Sequence, residues 1–409
     1  MPRVIVIGAG AAGTMAAIFA AKGGAETILL ERTRDGGRKI LISGGGRCNV
    51  LPMKLDESRF ITDSSPNTLR KMLRSWPLSE QIAFFENDLS IPLVEEEESS
   101  KLFPASHKAR DVRDGLLQHA DDQGVHILMN TLVTNVTQHN GRWRVELDGQ
   151  APLDCDAVII ATGGLSVPNT GSDGFGLKLL ETMGHTIHPT YAALTPITGN
   201  SPAFSSLSGV SMPITITAKS DERASTAYGG FLFTHHGYSG PSVLDVSHVV
   251  VRARRENSDS AKLRVQWTSL TDKDWELALQ PKGARTVTGA LRAEMPDRLA
   301  AVLLEQVNIN PQTGLGELRR EQRLKLIDTL VRGELPWTGD EGYKKAEVTG
   351  GGVSLAEVDA RTMESKKHVG LFLCGEVLDA FGPIGGYNFT WAWATGRAAG
   401  IGAAAKSAT

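Results

Sequence analysis

The sequence predicts an α/β protein: a Rossmann-like dinucleotide-binding domain interrupted by an inserted domain. Three observations carry this. An apolar run at the N-terminus leads directly into a Gly-x-Gly-x-x-Gly turn, Gly8 to Gly13. Two further apolar runs end in small residues far downstream, Asp156–Gly164 (DAVIIATGG) and Leu371–Glu376 (LFLCGE). The composition changes near Leu194 and changes back near Glu347.

Arg3–Ile7 (RVIVI) is β-branched and uninterrupted, the pattern of a buried parallel strand. In the turn, Gly8 permits the tight bend, Gly10 lets backbone reach a pyrophosphate, and Gly13 lets helix and strand pack closely. Ala11 and Ala12 open the helix, whose free N–H groups and positive dipole end suit phosphate. The Ala-rich run Thr14–Lys22 continues it, and Gly23-Gly24 ends it. Glu26–Leu30 is the second strand. Glu31 at its tip, 23 positions beyond Gly8, is placed to accept hydrogen bonds from ribose hydroxyls.

Arg32–Val50 reads as a long polar, Gly-rich loop. Helices are expected at Asn67–Leu73, Ser79–Glu86 and Arg110–Asp121, and strands at Val125–Met129, Leu132–Thr137, Arg142–Leu147 and Asp156–Ile160. The acidic run Glu95–Glu98 reads as a solvated loop. From Ile197 to Trp267 the pattern alternates with many Ser, Thr, Gly and Pro; from Arg285 to Gly333 it is helical and more charged. Gly370–Leu373 is a further strand and Trp391–Ala405 a closing Ala-rich helix. The domains expected are therefore 1–193 with 346–409, and an insertion 194–345, mainly β over 194–284 and mainly helical over 285–345.

Hydrophobic residues make up 41% and charged residues 22% of the 409, which excludes a disordered or fibrous chain. Lys and Arg number 43 against 46 Asp and Glu, so nothing global draws the chain to nucleic acid or an anionic membrane. Cys48, Cys155 and Cys374 form no CxxC, which argues against a disulfide scaffold and fits a reducing cytoplasm. Val4 to Ala21 is better explained as strand and helix than as a membrane span. No metal-ligand spacing is found, so no metal is expected. The partner expected is a small-molecule substrate, with no nucleic acid and no membrane; the oligomeric state stays open.

NAD and FAD share the N-terminal unit. The ATG turn, Ala161-Thr162-Gly163, and the C-terminal Gly375-Glu376…Asp379 element favour FAD, because in two-dinucleotide-fold flavoproteins such strands return to the first sheet beside the cofactor. Gly375, Glu376 and Asp379 are then placed for the pyrophosphate or ribityl chain. No second GxGxxG of comparable quality follows a strand, so a separate NAD(P)H domain is not expected; NADH or NADPH remains a candidate electron donor.

Four segments carry a family resemblance: Ile40–Asn49 (ILISGGGRCN), Gly230–Pro241 (GFLFTHHGYSGP), Glu347–Ser354 (EVTGGGVS) and Cys374–Trp393 (CGEVLDAFGPIGGYNFTWAW). In these, nearly the whole chain resembles a bacterial family of FAD-binding oxidoreductases, largely uncharacterised flavoproteins, with members linked to aminoacetone oxidation and to reductive steps of bile-acid 7-dehydroxylation. The resemblance implies an FAD domain of glutathione-reductase type with an inserted β-barrel-like part and a small helical part. It lays Ser43, Gly44, Gly45, Gly46, Arg47, Cys48 and Asn49 along the pyrophosphate toward the isoalloxazine ring, and gives Val133 a backbone contact to adenine.

Arg38, Lys39 and Arg47 offer positive charge to the phosphates, and Arg32 joins the expected cofactor set. Gly385, Gly386, Tyr387 and Asn388 precede or open the last helix, where backbone N–H groups suit flavin O2 and N1. His235 and His236 are candidates for acid/base work or for a structural role. Cys48 is expected to pack rather than act as a redox thiol, and Trp391 and Trp393 to pack the helix. The function expected is an FAD-dependent oxidoreductase moving hydride on a small molecule. An NAD(P)H-dependent reductase of an enone-like substrate and a flavin-carrying binding or regulatory protein are the alternatives.

Overall fold

The structure is a computed structural model and describes residues 1–96, 100–256, 261–282 and 284–406. The chain packs as two compact units, one of residues 1–190 with 348–409 and one of residues 191–347. Composition placed the breaks at 193/194 and 345/346. Each unit has its own apolar core.

The first unit is organised by a five-stranded sheet. Its order is Leu371–Leu373, Ala157–Ile160, Arg3–Ile7 (β1), Glu26–Leu30 (β2) and His126–Leu128, all parallel. β1 is central, and Val4, Ile5 and Val6 are fully buried, which explains a run with no polar alternation. Helix α1, Ala11–Lys22, lies against the closing helix, Tyr387–Lys406. Small residues make that approach possible: a Cβ on Gly396 would fall 2.4 Å from the Ala12 carbonyl oxygen, and one on Gly400 2.3 Å from that of Ala16.

Val133–His139, Arg142–Leu147 and Gln150–Cys155 form an antiparallel sheet beside the main one. Its third strand escaped the sequence pattern, since Pro152 and two polar residues interrupt the run. The segment expected as a long loop is partly ordered: Arg38–Ile42 makes a helical turn and Ser43–Gly46 a tighter one. The closing helix starts at Tyr387, four residues earlier than Trp391. Of the acidic run, Glu95 and Glu96 belong to a short strand, Leu93–Glu96; Glu97 and Glu98 lie outside the described residues.

The second unit is built on a seven-stranded sheet whose neighbouring strands run antiparallel. Its order is Gly333–Leu335, Lys262–Gln266, Ser211–Lys219, Ala224–Phe233, Gly237–Ser239, Ile197–Thr198 and Gly339–Asp340. A 15-residue helix, Pro241–Arg255, interrupts the region expected to be mainly β. Its buried Val243, Val246, Val249 and Val250 follow the helical repeat, and β-branched valine concealed it as a strand. Helices Asp272–Ala278, Val287–Leu291, Asp297–Gln306 and Arg320–Arg332 make up the helical part, which starts before residue 285.

Candidate cofactor site

Gly8, Glu31, Ala161 and Gly375 follow the carboxyl ends of the parallel strands, where ligands bind in open α/β sheets. β1 runs into Gly8, whose φ of +103° suits glycine. A Cβ there would lie 2.7 Å from the Ala161 carbonyl oxygen, and one on Gly13 would lie 1.8 Å from the Gly8 carbonyl oxygen. Both glycines are therefore required by the fold itself. Gly10 differs: no atom lies within 4 Å of where its Cβ would stand. Gly10 caps α1, and the first N–H groups of the helix have no intrahelical acceptor.

Glu31 is buried, 8% exposed, and its carboxylate organises the turn. One oxygen accepts from the Ala9 N–H at 2.9 Å; the other accepts from the Thr33 N–H and hydroxyl, each at 2.8 Å. A carboxylate has about four acceptor sites, so room remains for a ribose hydroxyl.

The basic residues are already engaged. Arg32 pairs with Asp173. Arg38 pairs with Asp35 at 2.7 Å. Arg47 bonds Glu96 at 2.7 Å and lies 4.4 Å over the Phe103 ring. Lys39 bonds Ser166 and Glu376. The other Glu376 oxygen accepts from Ser166 Oγ at 2.7 Å and from the Thr349 N–H at 2.9 Å. Burial pushes the Glu376 carboxyl up, but the Lys39 charge and these donors outweigh it and hold it below its ordinary range. Lys39 is thus the partner of Glu376 before it is a phosphate ligand.

Asp379 is 1% exposed and ties the 62–64 segment. Its Oδ2 accepts from the Asp63 and Ser64 N–H groups, each at 2.9 Å, and from the Ser64 and Thr62 hydroxyls at 2.8 and 2.9 Å. His188 stands 3.7 Å away. Burial raises the Asp379 pKa against these donors and the nearby His188. Ser166, Thr349, Ser64 and His188 were not singled out from the sequence. Thr349 lies in the quoted EVTGGGVS segment and Ser166 just beyond ATGG; nothing local marks Ser64 or His188.

In the Ser43–Asn49 loop, Gly44, Gly45 and Gly46 all have positive φ, and Gly45 faces open space. The Ser43 hydroxyl bonds the Ile40 carbonyl at 2.7 Å. Cys48 is fully buried, and burial pushes its thiol up to about 12, against a weaker Ser43 bond. That leaves no thiolate at neutral pH. Gly375, with φ +75°, would place a Cβ 2.7 Å from that of Ala12, so it packs on α1. Val133 is buried and opens its strand opposite Leu147.

At the closing helix, Gly386 and Gly385 have positive φ, and a Cβ on Gly386 would meet the Leu51 backbone at 2.4 Å. Tyr387 is buried, with its ring against Phe60 and under Arg59. The Asn388 amide is spent on Gly382, accepting from its N–H and donating to its carbonyl, both at 2.9 Å. The backbone N–H groups of the first turn are what this segment offers a ligand. Trp391 and Trp393 donate to the Gly375 and Val50 carbonyls, both at 3.1 Å, and pack the helix.

His235 and His236 belong to the second unit. They are exposed in the turn between Ala224–Phe233 and Gly237–Ser239, which the Thr234 N–H closes onto the Gly237 carbonyl at 2.8 Å. Neither ring has a hydrogen-bond partner among the described residues. Among those residues, no group of three or more His, Cys, Asp or Glu is arranged to hold a metal ion, and no helix is long and apolar enough to cross a membrane.

Two orphaned polar atoms test the fit to a dinucleotide. Thr162 Oγ1 and Asn49 Oδ1 are buried without a partner, and both belong to the expected cofactor set. With the open face at Gly10, the free N–H groups of α1 and the spare capacity of Glu31, the donor set suits an anionic dinucleotide carrying ribose hydroxyls.

A family model described as the HI0933-like protein Rossmann domain matches residues 2–402. The chain belongs to this family. It is 33% identical over 406 residues to the ribosomal RNA dihydrouridine synthase of Escherichia coli (strain K12), covering 96% of this chain and 95% of that one. It is 32% identical over 414 residues to the 3-dehydro-bile acid delta(4,6)-reductase of Clostridium scindens, covering 99% and 100%. The solved structure of 3-ketosteroid delta1-dehydrogenase from Sterolibacterium denitrificans matches with a TM-score of 0.54, covering 99% of both chains at 12% identity, a likeness of fold. This HI0933-like protein is an FAD-dependent oxidoreductase.

Proposed function

We propose that the protein reduces a carbon–carbon double bond conjugated to a carbonyl, with electrons from NADH or NADPH, in the cytoplasm. The activities for which the two relatives are named carry the reading. A dihydrouridine synthase saturates the ring double bond next to a uracil carbonyl, and a delta(4,6)-reductase of a 3-dehydro substrate saturates a dienone; this chain matches each over nearly its full length. Bound FAD would supply the redox chemistry, hydride transfer between a nicotinamide and a conjugated double bond.

The chain's own residues hold and orient. The N–H groups opening α1 receive the pyrophosphate, and Glu31 the ribose. The Lys39–Glu376–Ser166 network would border the pyrophosphate or ribityl chain, and the first-turn N–H groups of the closing helix would offer hydrogen bonds to the flavin ring. With one dinucleotide fingerprint, donor and substrate share one site in turn. A small-molecule carrier fits the insertion, where residues 191–347 hold 19 Lys and Arg against 18 Asp and Glu, without the cationic surplus that nucleic acid draws. His235 or His236 is the proposed source of the α-carbon proton.

Anaerobic spectroscopy of the purified flavoprotein tests this. NADH or NADPH should bleach the flavin band, and a steroid 3-oxo-4,6-diene should restore it. Recovery with uridine-containing ribosomal RNA alone would keep the reductase and reject the small-molecule carrier. Bleaching by an amine or hydroxy compound but by neither nicotinamide would make it an oxidase. No bleaching by any donor would favour a flavin-carrying binding protein. His235→Ala and His236→Ala should keep FAD, and the proton donor's variant should slow turnover about 10²–10⁴-fold.

A further inference from the structure

The EVTGGGVS segment carries two glycines that the cofactor contacts do not explain, Gly351 and Gly352. They lie in the strand Val348–Val353, beside the strand Ile187–Ala193. A Cβ on Gly351 would stand 2.4 Å from the Pro189 carbonyl oxygen and 2.9 Å from that of His188. One on Gly352 would stand 2.7 Å from the Val377 carbonyl oxygen and 3.1 Å from the Asp379 nitrogen. Glycine here lets the His188 and Asp379 segments close on one strand.

A hydrogen-bonded chain joins the two. The Ser64 hydroxyl stands 2.8 Å from Asp379 Oδ2 and 3.3 Å from His188 Nε2, and it accepts from the Leu355 N–H at 3.0 Å. It has one hydrogen, which goes to the nearer carboxylate oxygen. One lone pair then remains, so His188 Nε2–H donates to it. The other ring nitrogen is the one that takes up a proton. The His188 side chain is 25% exposed and open to solvent, whereas that of Asp379 is 2% exposed.

Every hydrogen bond to the Asp379 carboxylate goes to Oδ2, so Oδ1 has no partner among the described residues. Two charges bear on this group: Asp63 opposes its ionisation and His188 favours it, while burial raises its pKa. The glycine strand adds no charge. Glu357, two residues beyond Leu355, is held by His185, Thr186 and Lys367.

We propose that His188 is a positioning residue of the flavin site: joined through Ser64, it offsets the negative charge on Asp379 or leaves it bare, and so tunes the pull of bound FAD for electrons. This rests on the reading that sets Asp379 beside FAD, and not on the choice of substrate. A charged His188, 3.7 Å from Oδ2, compensates the carboxylate. A neutral one leaves a negative charge that opposes the electron pair a flavin takes up. A histidine ordinarily changes charge between about pH 5 and 8. The flavin potential should therefore fall by an extra step as pH rises through that range.

Potentiometric titration of the FAD-loaded protein from about pH 5 to about pH 8 tests it. His188→Gln keeps an N–H for Ser64 and removes the titration, so a merely structural role would leave its potentials those of the wild type. The proposal expects the wild-type potential to fall about 30 mV further across the range than that of His188→Gln, a tenfold difference in a two-electron equilibrium. Melting temperature and FAD content should match. Asp379→Asn should show the shallower slope too, with a higher potential at the alkaline end. A wild-type slope in His188→Gln overturns the proposal, even if Asp379→Asn fails to hold FAD. If Asp379→Asn is shifted beside that unchanged His188→Gln, the cofactor-site reading of Asp379 stands. Wild-type potentials in Asp379→Asn at every pH overturn both.

Discussion

Two glycine-rich turns of the first unit, Gly8–Gly13 and Ser43–Gly46, look alike in composition and differ in what their glycines do. In the first, methyl groups on Gly8 and Gly13 would run into the Ala161 and Gly8 carbonyls. In the second, Gly45 has φ +67° and nothing within 4 Å of its Cβ position. Space alone demands glycine at Gly13, and handedness alone demands it at Gly45. Gly10, inside the first turn, needs neither; its φ is an ordinary −81° and its surroundings are open. On the proposed reading, that open face is where a pyrophosphate would approach the backbone.

The sharpest way to break this comparison is Gly13→Ala. The added methyl meets backbone, which cannot turn aside, so α1 must shift from β1. The expected loss is on the order of 3 kcal/mol of apoprotein stability, read from the urea midpoint. An unchanged midpoint would remove the steric account of the first turn.

Glu31→Ala comes next. Losing charge-assisted bonds to ribose should cost about 1.5–3 kcal/mol, a tenfold to hundredfold rise in the Kd for FAD. The structure adds a second effect: the Ala9 N–H loses its acceptor, so the apoprotein should also lose about 1–3 kcal/mol. Titrating the apoprotein with FAD checks the first effect, and chemical denaturation without FAD the second.

The smallest expected effects separate the remaining glycines. Gly45→Ala should cost about 1–2 kcal/mol through its left-handed backbone. Gly10→Ala should leave the apoprotein within about 0.5 kcal/mol and still weaken FAD binding measurably. Equal losses of stability at the two positions would erase the distinction between a glycine for the fold and one for the ligand.

Legibility in the sequence followed how local each cause is. β1, α1, β2 and Glu31 are contiguous, and each residue type has one steric or electrostatic reason at its position. The return strands Ala157–Ile160 and Leu371–Leu373 were readable because a strand buried on both faces admits no polar residue. The Pro241–Arg255 helix was hidden because valine serves both helix and strand, and packing rather than propensity decides between them.

The role of each charge could not be read so. The sequence shows that Lys39 and Glu376 exist, 337 positions apart; the fold makes them a pair with Ser166 and Thr349. It shows Asn388 beside a helix start, and the fold spends its amide on Gly382. It shows two histidines in a glycine-rich segment, and the fold leaves both on an exposed turn. By itself, then, the chain determined its α/β architecture, its dinucleotide turn and its family, because these rest on residue shape and short-range spacing. Tertiary structure alone decided which polar side chains stay free, because a hydrogen bond depends on distances that long-range folding sets.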